Sequence, residues 1–560
     1  MIAGEGPAIV EPVTLRPADE VMRLARMGSA FPTRLSFMRI LIRRMHRERW
    51  AVSVRERRLD EHGFGHAVYE AAGPERVYSL VAFSNDLDPS RRTDRVIADA
   101  WDTTFTLFDG RPTPADIERL RANTPKQEAG RFGPGDLVLC RANKSVRLFE
   151  HVRDSLARGV QPDDGMLGRI GYLMRTTAVY GNGKFGIADR GRIFERPELA
   201  APFQAELLTV YLIRCFTLDH VEHVARARGG AGAVPLDRDL KRRLGIGNST
   251  GLGMAPFLVT HPALIHNWIH ARELALGRVL AAGTPGRAAA DRFRTLLDRA
   301  IHHVHEWNVE DEIQMKRIRG LRRDLAALAE RLHEGPPRTW RDVYDWVAGH
   351  CGLECQELTV SLLIETSPAL VDSLESELSS DFVERLDASW TVGEVRRLLE
   401  NRYRWAIDID FNDPRSRALF WYTSEDKLEP RLGRRFCEPG AEREMPLAVA
   451  RDVSALYEIT AAAPASEPLA SFALRFPNTR HILMRIQCIA DHPYGEIRDN
   501  LIDEGCRPID LLRCKLACFG AWKFDPRSDR WTRITLYQGA PLADELHTAG
   551  ADDWCFALVG

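Results

Sequence analysis

Apolar residues recur at helical spacing in several long stretches of the chain. Over 33–50, TRLSFMRILIRRMHRERW sets Leu, Phe, Ile and Met on one face and basic residues on the other, which predicts an amphipathic helix. The clearest helix is 197–228: Pro197 suits its start, LLTVYLIRCF fills its middle, and Gly229-Gly230 supplies the stop. Further helices fit 262–281, 287–308 and 311–334, the last two laced with charge. Strand patterns lie to either side. HAVYEAAGPERVYSLVAFS (66–84) holds two β-rich runs around Gly73-Pro74, a hairpin signal, and 86–110 reads as turn, short helix and aromatic strand. Beyond GPPRT (335–339) helical spacing returns over 340–402. A Pro- and Arg-rich stretch follows at 411–446, then a helix near 508–519 and a strand in WTRITLY (531–537).

These elements predict a mixed, predominantly α protein. A helical central domain with glycine-rich loops (131–345) is flanked by an N-terminal α+β unit (1–130) and a C-terminal helical and α+β unit (346–560). A chain of 560 residues is too long for one core, which agrees with several domains. No repeat of 20–50 residues interrupts the plan.

Composition removes some partners from consideration. Seventy-seven basic residues against 79 acidic ones leave a net charge of -2, without the cationic surplus a general nucleic-acid binder needs. The first twenty residues carry acids and prolines where a signal peptide would have a basic head and an apolar run. No apolar run approaches the roughly 18 residues that span a bilayer. The ten cysteines are scattered, which suits a reducing compartment. The expectation is a soluble, cytoplasmic, bacterial protein with neither nucleic acid nor membrane as partner. Only eight of the basic residues are lysine, the bias of a GC-rich genome, so Lys144, Lys184, Lys427, Lys515 and Lys523 draw notice as positions where a compact ammonium persists.

The candidate chemistry concentrates around glycines and histidines. YGNGKFGIADR (180–190) fits G-x-G-x-x-G through Gly181, Gly183 and Gly186, a spacing that lets backbone N–H groups approach a phosphate. Neither a dinucleotide fold nor a kinase fits its context: no helix opens at the last glycine, and the kinase residues do not follow in order. Gly247-Asn248-Ser249-Thr250-Gly251 spells G-x-S-x-G, but the basic DRDLKRRLGI stands where a hydrolase has an apolar strand. The two Gly-Asn bends are better suited to hold a carboxylate or phosphate, with Arg175, Asn182, Lys184, Asn248, Ser249 and Thr250 as its ligands.

Histidines follow at once. His261, His266 and, far along the chain, His492 are the candidates for proton transfer, with Asp491 or Glu496 as acidic partner near the Pro-Tyr-Gly turn of 493–495. His266, His270 and Glu273 share one helical strip and form a metal alternative, with His302, His303, His305 and Glu306 as a second cluster that reads mostly as a solvated face. Asn267 occupies the place of glutamate in H-E-x-x-H, so the expectation is no metal. The cofactor is left open. The Cys351/Cys355 and Cys514/Cys518 pairs have one-turn spacing and read as core residues.

Together these features predict an enzyme of lyase or hydrolase type acting on a small carboxylate or phosphate by acid/base chemistry. One alternative is an oxidoreductase or transferase that uses the glycine turns for a flavin or nucleotide. Another is a non-catalytic homo-oligomeric binding protein.

Overall fold

The computed structural model describes residues 13–29, 33–88, 90, 101–125, 132–178, 186–187, 193, 195–248, 262–307, 309, 311–335, 337–378, 386–413, 449–498, 517–520, 523–525, 533–548 and 550–554. Helix predominates, mixed with one sheet that draws strands from distant parts of the chain. Its strands are β1 (Ala51–Leu59), β2 (Gly65–Ala72), β3 (Val77–Ser84), β4 (Thr103–Asp109), β5 (Asp136–Lys144), β6 (Tyr172–Thr176), β7 (Gly186–Ile187), β8 (Gly245–Asn248), β9 (Lys523–Asp525) and β10 (Arg533–Leu536). The order is β1-β2-β3-β4-β5-β6-β8-β10-β9, with β7 paired to β5. Neighbours run antiparallel except β6 and β8, which are parallel. The segment expected to be helical from 131 therefore supplies central strands. DLVLCRANK forms β5, which is buried on both faces and therefore lacks the alternation that marks a half-exposed strand.

A 26-residue helix, Gln204–Gly229, lies across the sheet. It starts later than Pro197, which instead opens a separate 3-10 turn at Pro197–Leu199. Phe203, with φ of 60°, breaks the backbone between them. Phe216 meets Phe105 and Tyr69 edge to face at 5.5 and 6.1 Å, seating the helix on β4 and β2. Arg214, wholly buried on the same helix, donates to the carbonyls of Leu244 (2.8 Å) and Pro541 (3.1 Å). One guanidinium thus ties the approach to β8 to the turn after β10.

The predicted helices at 262–281, 287–308 and 311–334 are present as Pro262–Ala281, Arg287–His305 and Glu312–His333. They build a helical layer with Trp340–His350 and Leu353–Thr366. Thr339 and Asp342 form a capping box at the first of these, and Thr391 and Glu394 form another at Val392–Arg402. The helix Phe37–Arg47 answers the amphipathic stretch of 33–50, yet two of its arginines, Arg39 and Arg43, are buried as well. Arg39 pairs with Glu365 and Asp552, Arg34 with Asp372, and Arg43 with Glu375. Among the described residues no helix is long and apolar enough to cross a membrane.

The glycines of β8 report how tightly the sheet closes. A Cβ on Gly245 would stand 2.2 Å from the carbonyl oxygen of Leu536, and one on Gly247 would stand 2.7–2.8 Å from Arg175 and Tyr172. Gly245→Ala should lower stability by about 1–3 kcal/mol through overpacking, whereas Gly168→Ala, where nothing lies within 4 Å, should be neutral or slightly stabilising. Urea unfolding of both variants checks this; equal effects would contradict the close approach at β8.

Candidate functional site

The helix Pro262–Ala281 begins on a proline, whose fixed φ and missing N–H cost nothing in a first turn. Its residues Leu264, Ile265, Trp268 and Ile269 are buried. His266 and His270, one turn apart, share a strip beside that apolar face, and their rings stack at 5.4 Å with planes 15° apart. Against them lies the end of a second helix, Arg480–Asp491, and the Pro493–Gly495 turn. The ring of His492 meets His266 edge to face at 5.0 Å, and Tyr494 stacks on His266 at 5.7 Å. Three imidazoles from two remote segments thus form one cluster.

Backbone groups set the protons. The Tyr494 N–H donates to Nδ1 of His266 at 3.1 Å, so that nitrogen is an acceptor and the neutral ring carries its proton on Nε2. Burial, followed by His492 and His270, holds His266 down at about 4. His492 has the opposite tautomer. Its Nδ1 lies 2.8 Å from the carbonyl oxygen of Cys488, which can only accept, so Nδ1 bears the proton and Nε2 keeps the lone pair. The Cys488 thiol is 3.7 Å from the same Nδ1, a nitrogen already engaged and unable to take the thiol proton. The cluster therefore offers one imidazole N–H donor and one imidazole lone pair at adjoining rings.

An ion network holds this arrangement. Arg16 donates to both oxygens of Glu273 (2.8 and 2.7 Å) and to Glu357 (2.8 Å). Arg272 also donates to Glu357 and lies 3.3 Å from Glu273, and Arg26 reaches Glu357 at 3.3 Å. Burial would raise the Glu357 carboxyl, but Arg16 and Arg272 outweigh it and bring it to about 2. The Arg16 carbonyl accepts the Tyr494 hydroxyl at 2.6 Å, so the residue that fixes Glu273 also fixes the turn that addresses His266. Burial raises the Tyr494 phenol to about 12, which keeps it a donor.

Several expectations need correction. Glu273 spends both oxygens on Arg16, so it is not a third ligand beside His266 and His270; among the described residues no cluster of histidine, cysteine or carboxylate could hold a metal. Asp491 ends its helix exposed and makes no described hydrogen bond or ion pair, so it does not orient His492. Glu496 is buried against Arg485 (2.7 Å) and Tyr403 (2.8 Å), a structural role. Gly247-Asn248 is no bend: both residues lie in β8, directly before Ser249. The strand thought to be missing there is present, too short and glycine-rich to register as one.

Arg175 lies on β6 opposite Gly247, half-buried, with no side-chain hydrogen bond or ion pair among the described residues. Asn182, Lys184, Ser249, Thr250 and His261 fall outside the described residues. Arg16, Cys488 and Tyr494 were not anticipated. Each acts through a backbone group or a long-range ion pair that leaves no local pattern. No protein-family model matches the chain, and neither a curated protein nor a solved structure is significantly similar to it.

Two measurements follow from these shifts. In NMR titration His266 should stay neutral to about pH 4. Because its folded value lies below the usual 6.5, its contribution to stability is complete above 6.5 and falls as pH drops toward 4. A midpoint near 6.5 would contradict the buried stack. Glu357→Gln, which strands Arg16 and Arg272, should cost about 3–5 kcal/mol in urea unfolding; a loss below about 1 kcal/mol would show that the network adds little.

Proposed function

We propose that the chain is an enzyme that transfers a proton on a small anionic substrate, of lyase or hydrolase type. The observation that carries this reading is the pair of opposite tautomers at His266 and His492, with rings 5.0 Å apart. In this reading Nε2 of His492 is the general base and takes the proton from a carbon acid or an attacking water. Nε2–H of His266 donates to the oxygen on which negative charge develops. Burial keeps this imidazole neutral at physiological pH, so its Nε2–H serves as a hydrogen-bond donor to the oxyanion and not as a protonated acid.

Arg175 supplies the anion contact. Its aliphatic stem packs beside Gly247 of β8, at one end of residues 249–261, while the His266 helix opens at Pro262 at the other. The amides and hydroxyls of Asn248, Ser249 and Thr250 would complete the grip. The compartment in this reading is the cytoplasm.

The test is turnover across a panel of small carboxylates and phosphate esters. His492→Ala should lower kcat by about 10²–10⁴-fold, and His266→Gln by about 10²–10³-fold. Arg175→Ala should raise KM more than it changes kcat, because the anion contact is made in both ground and transition states. Turnover indifferent to His492→Ala would end this assignment.

A further inference from the structure

A cavity of about 450 Å³ opens elsewhere in the fold, and none of its lining residues belongs to the imidazole cluster. Three elements frame it: the turn between β1 and β2, the helix Leu148–Ala157, and the last turns of Gln204–Gly229. Lys144, the final residue of β5, reaches it from within the sheet and is only 6% exposed. Its ammonium stands 5.1 Å from the centre of the Phe149 ring and 5.9 Å from that of Phe64, both lining the same space. Glu150 and Glu61 add carboxylates, and Arg153 and Arg228 sit on the wall, both bonded to Asp154 at 2.7 and 2.9 Å.

The walls are built to hold this form. Asp60 accepts from the N–H groups of His62 and Phe64, closing the β1–β2 turn, and its carbonyl meets Nε2 of His223 at 2.7 Å. Gly63, at φ +82°, rests directly on His220: a Cβ there would lie 2.6 Å from the imidazole. His220 is fully buried and stacks on Phe216 at 5.1 Å and against Phe149 at 5.7 Å. Burial first, then Lys144, keeps it neutral. The aromatic wall is thereby backed by an uncharged ring.

We propose that this cavity binds a free amino acid with an aromatic side chain. A cavity of this size is in the range that encloses a small molecule. Lys144, Arg153 and Arg228 are set against Glu61, Glu150 and Asp154, so the lining and its ion pairs carry both signs in near balance. A zwitterion meets both signs, whereas a simple anion or cation would face one of them as repulsion. The carboxylate is held by Lys144, the ammonium by Glu150, and the ring lies on Phe64 and Phe149.

Calorimetry and thermal shift with three probes separate these contacts: L-phenylalanine, 3-phenylpropionate without the ammonium, and phenethylamine without the carboxylate. Phenylalanine should bind at least tenfold more tightly than either truncated probe. Lys144→Met should abolish that binding, and Glu150→Gln should erase the preference over phenylpropionate while leaving phenylpropionate itself unweakened. Ala227→Trp, at an exposed position on the rim, should block the cavity without disturbing the fold. Absence of phenylalanine binding, equal binding of phenylalanine and phenylpropionate, or undiminished binding by a folded Ala227→Trp variant would each overturn the proposal.

Discussion

Two buried carboxylates and three guanidiniums hold the helical half of this molecule to its N-terminal segment. Arg16, Arg26 and Arg272 share Glu273 and Glu357, which are respectively 1% and 0% exposed. Charges removed from water recover their hydration only if every donor and acceptor finds a partner in good geometry. That requirement is strict, and it fixes three chain segments together: residues 16–26, the His266 helix and Leu353–Thr366. Tyr494 is drawn into the same arrangement through the Arg16 carbonyl. The tautomer of His266 therefore depends on an ion network two turns along its own helix.

Arginine suits this style of construction. Arg39, fully buried, grips Glu365 through two nitrogens and reaches Asp552 near the far end of the described chain. Burial would raise Asp552, yet Arg39, Arg43 and Arg34 bring it to about 2. A planar fork with five donors can serve two carboxylates at once, which the single ammonium of lysine does poorly. The abundance of arginine in the sequence is thus put to structural use, whatever its genomic origin. Lys144 departs from the pattern: it lies over aromatic rings, where a compact cation fits.

Much of the helical layer was legible because its elements are long and periodic. Pro262–Ala281 is bounded as the residue pattern predicts, and Arg287–His305 and Glu312–His333 stop within three residues of their expected ends. The strands at the centre of the sheet were harder to see. In β5, Asp136, Asn143 and Lys144 are buried polar residues whose partners come from other segments, so the sequence reads as mixed. In β8, glycine and asparagine disfavour a strand locally, and the reason for glycine is the backbone of β10 almost 300 positions away. His266 and His492 could be named from residue type and neighbourhood, but their meeting could not. Nor could Arg16, one arginine among many, whose importance lies wholly in what folds around it.

The parallel pairing of β6 with β8 has a consequence for assembly. One side of β8 is covered by β6, but the other stays open until β10 arrives, and β10 ends at Leu536. During synthesis the chain must emerge as far as Leu536 before that row of amides and carbonyls is covered. Such contacts between remote segments form late, and an uncovered strand edge invites pairing with other chains in the meantime. The nascent protein would therefore be most prone to aggregate in the interval between the emergence of β8 and the delivery of β10.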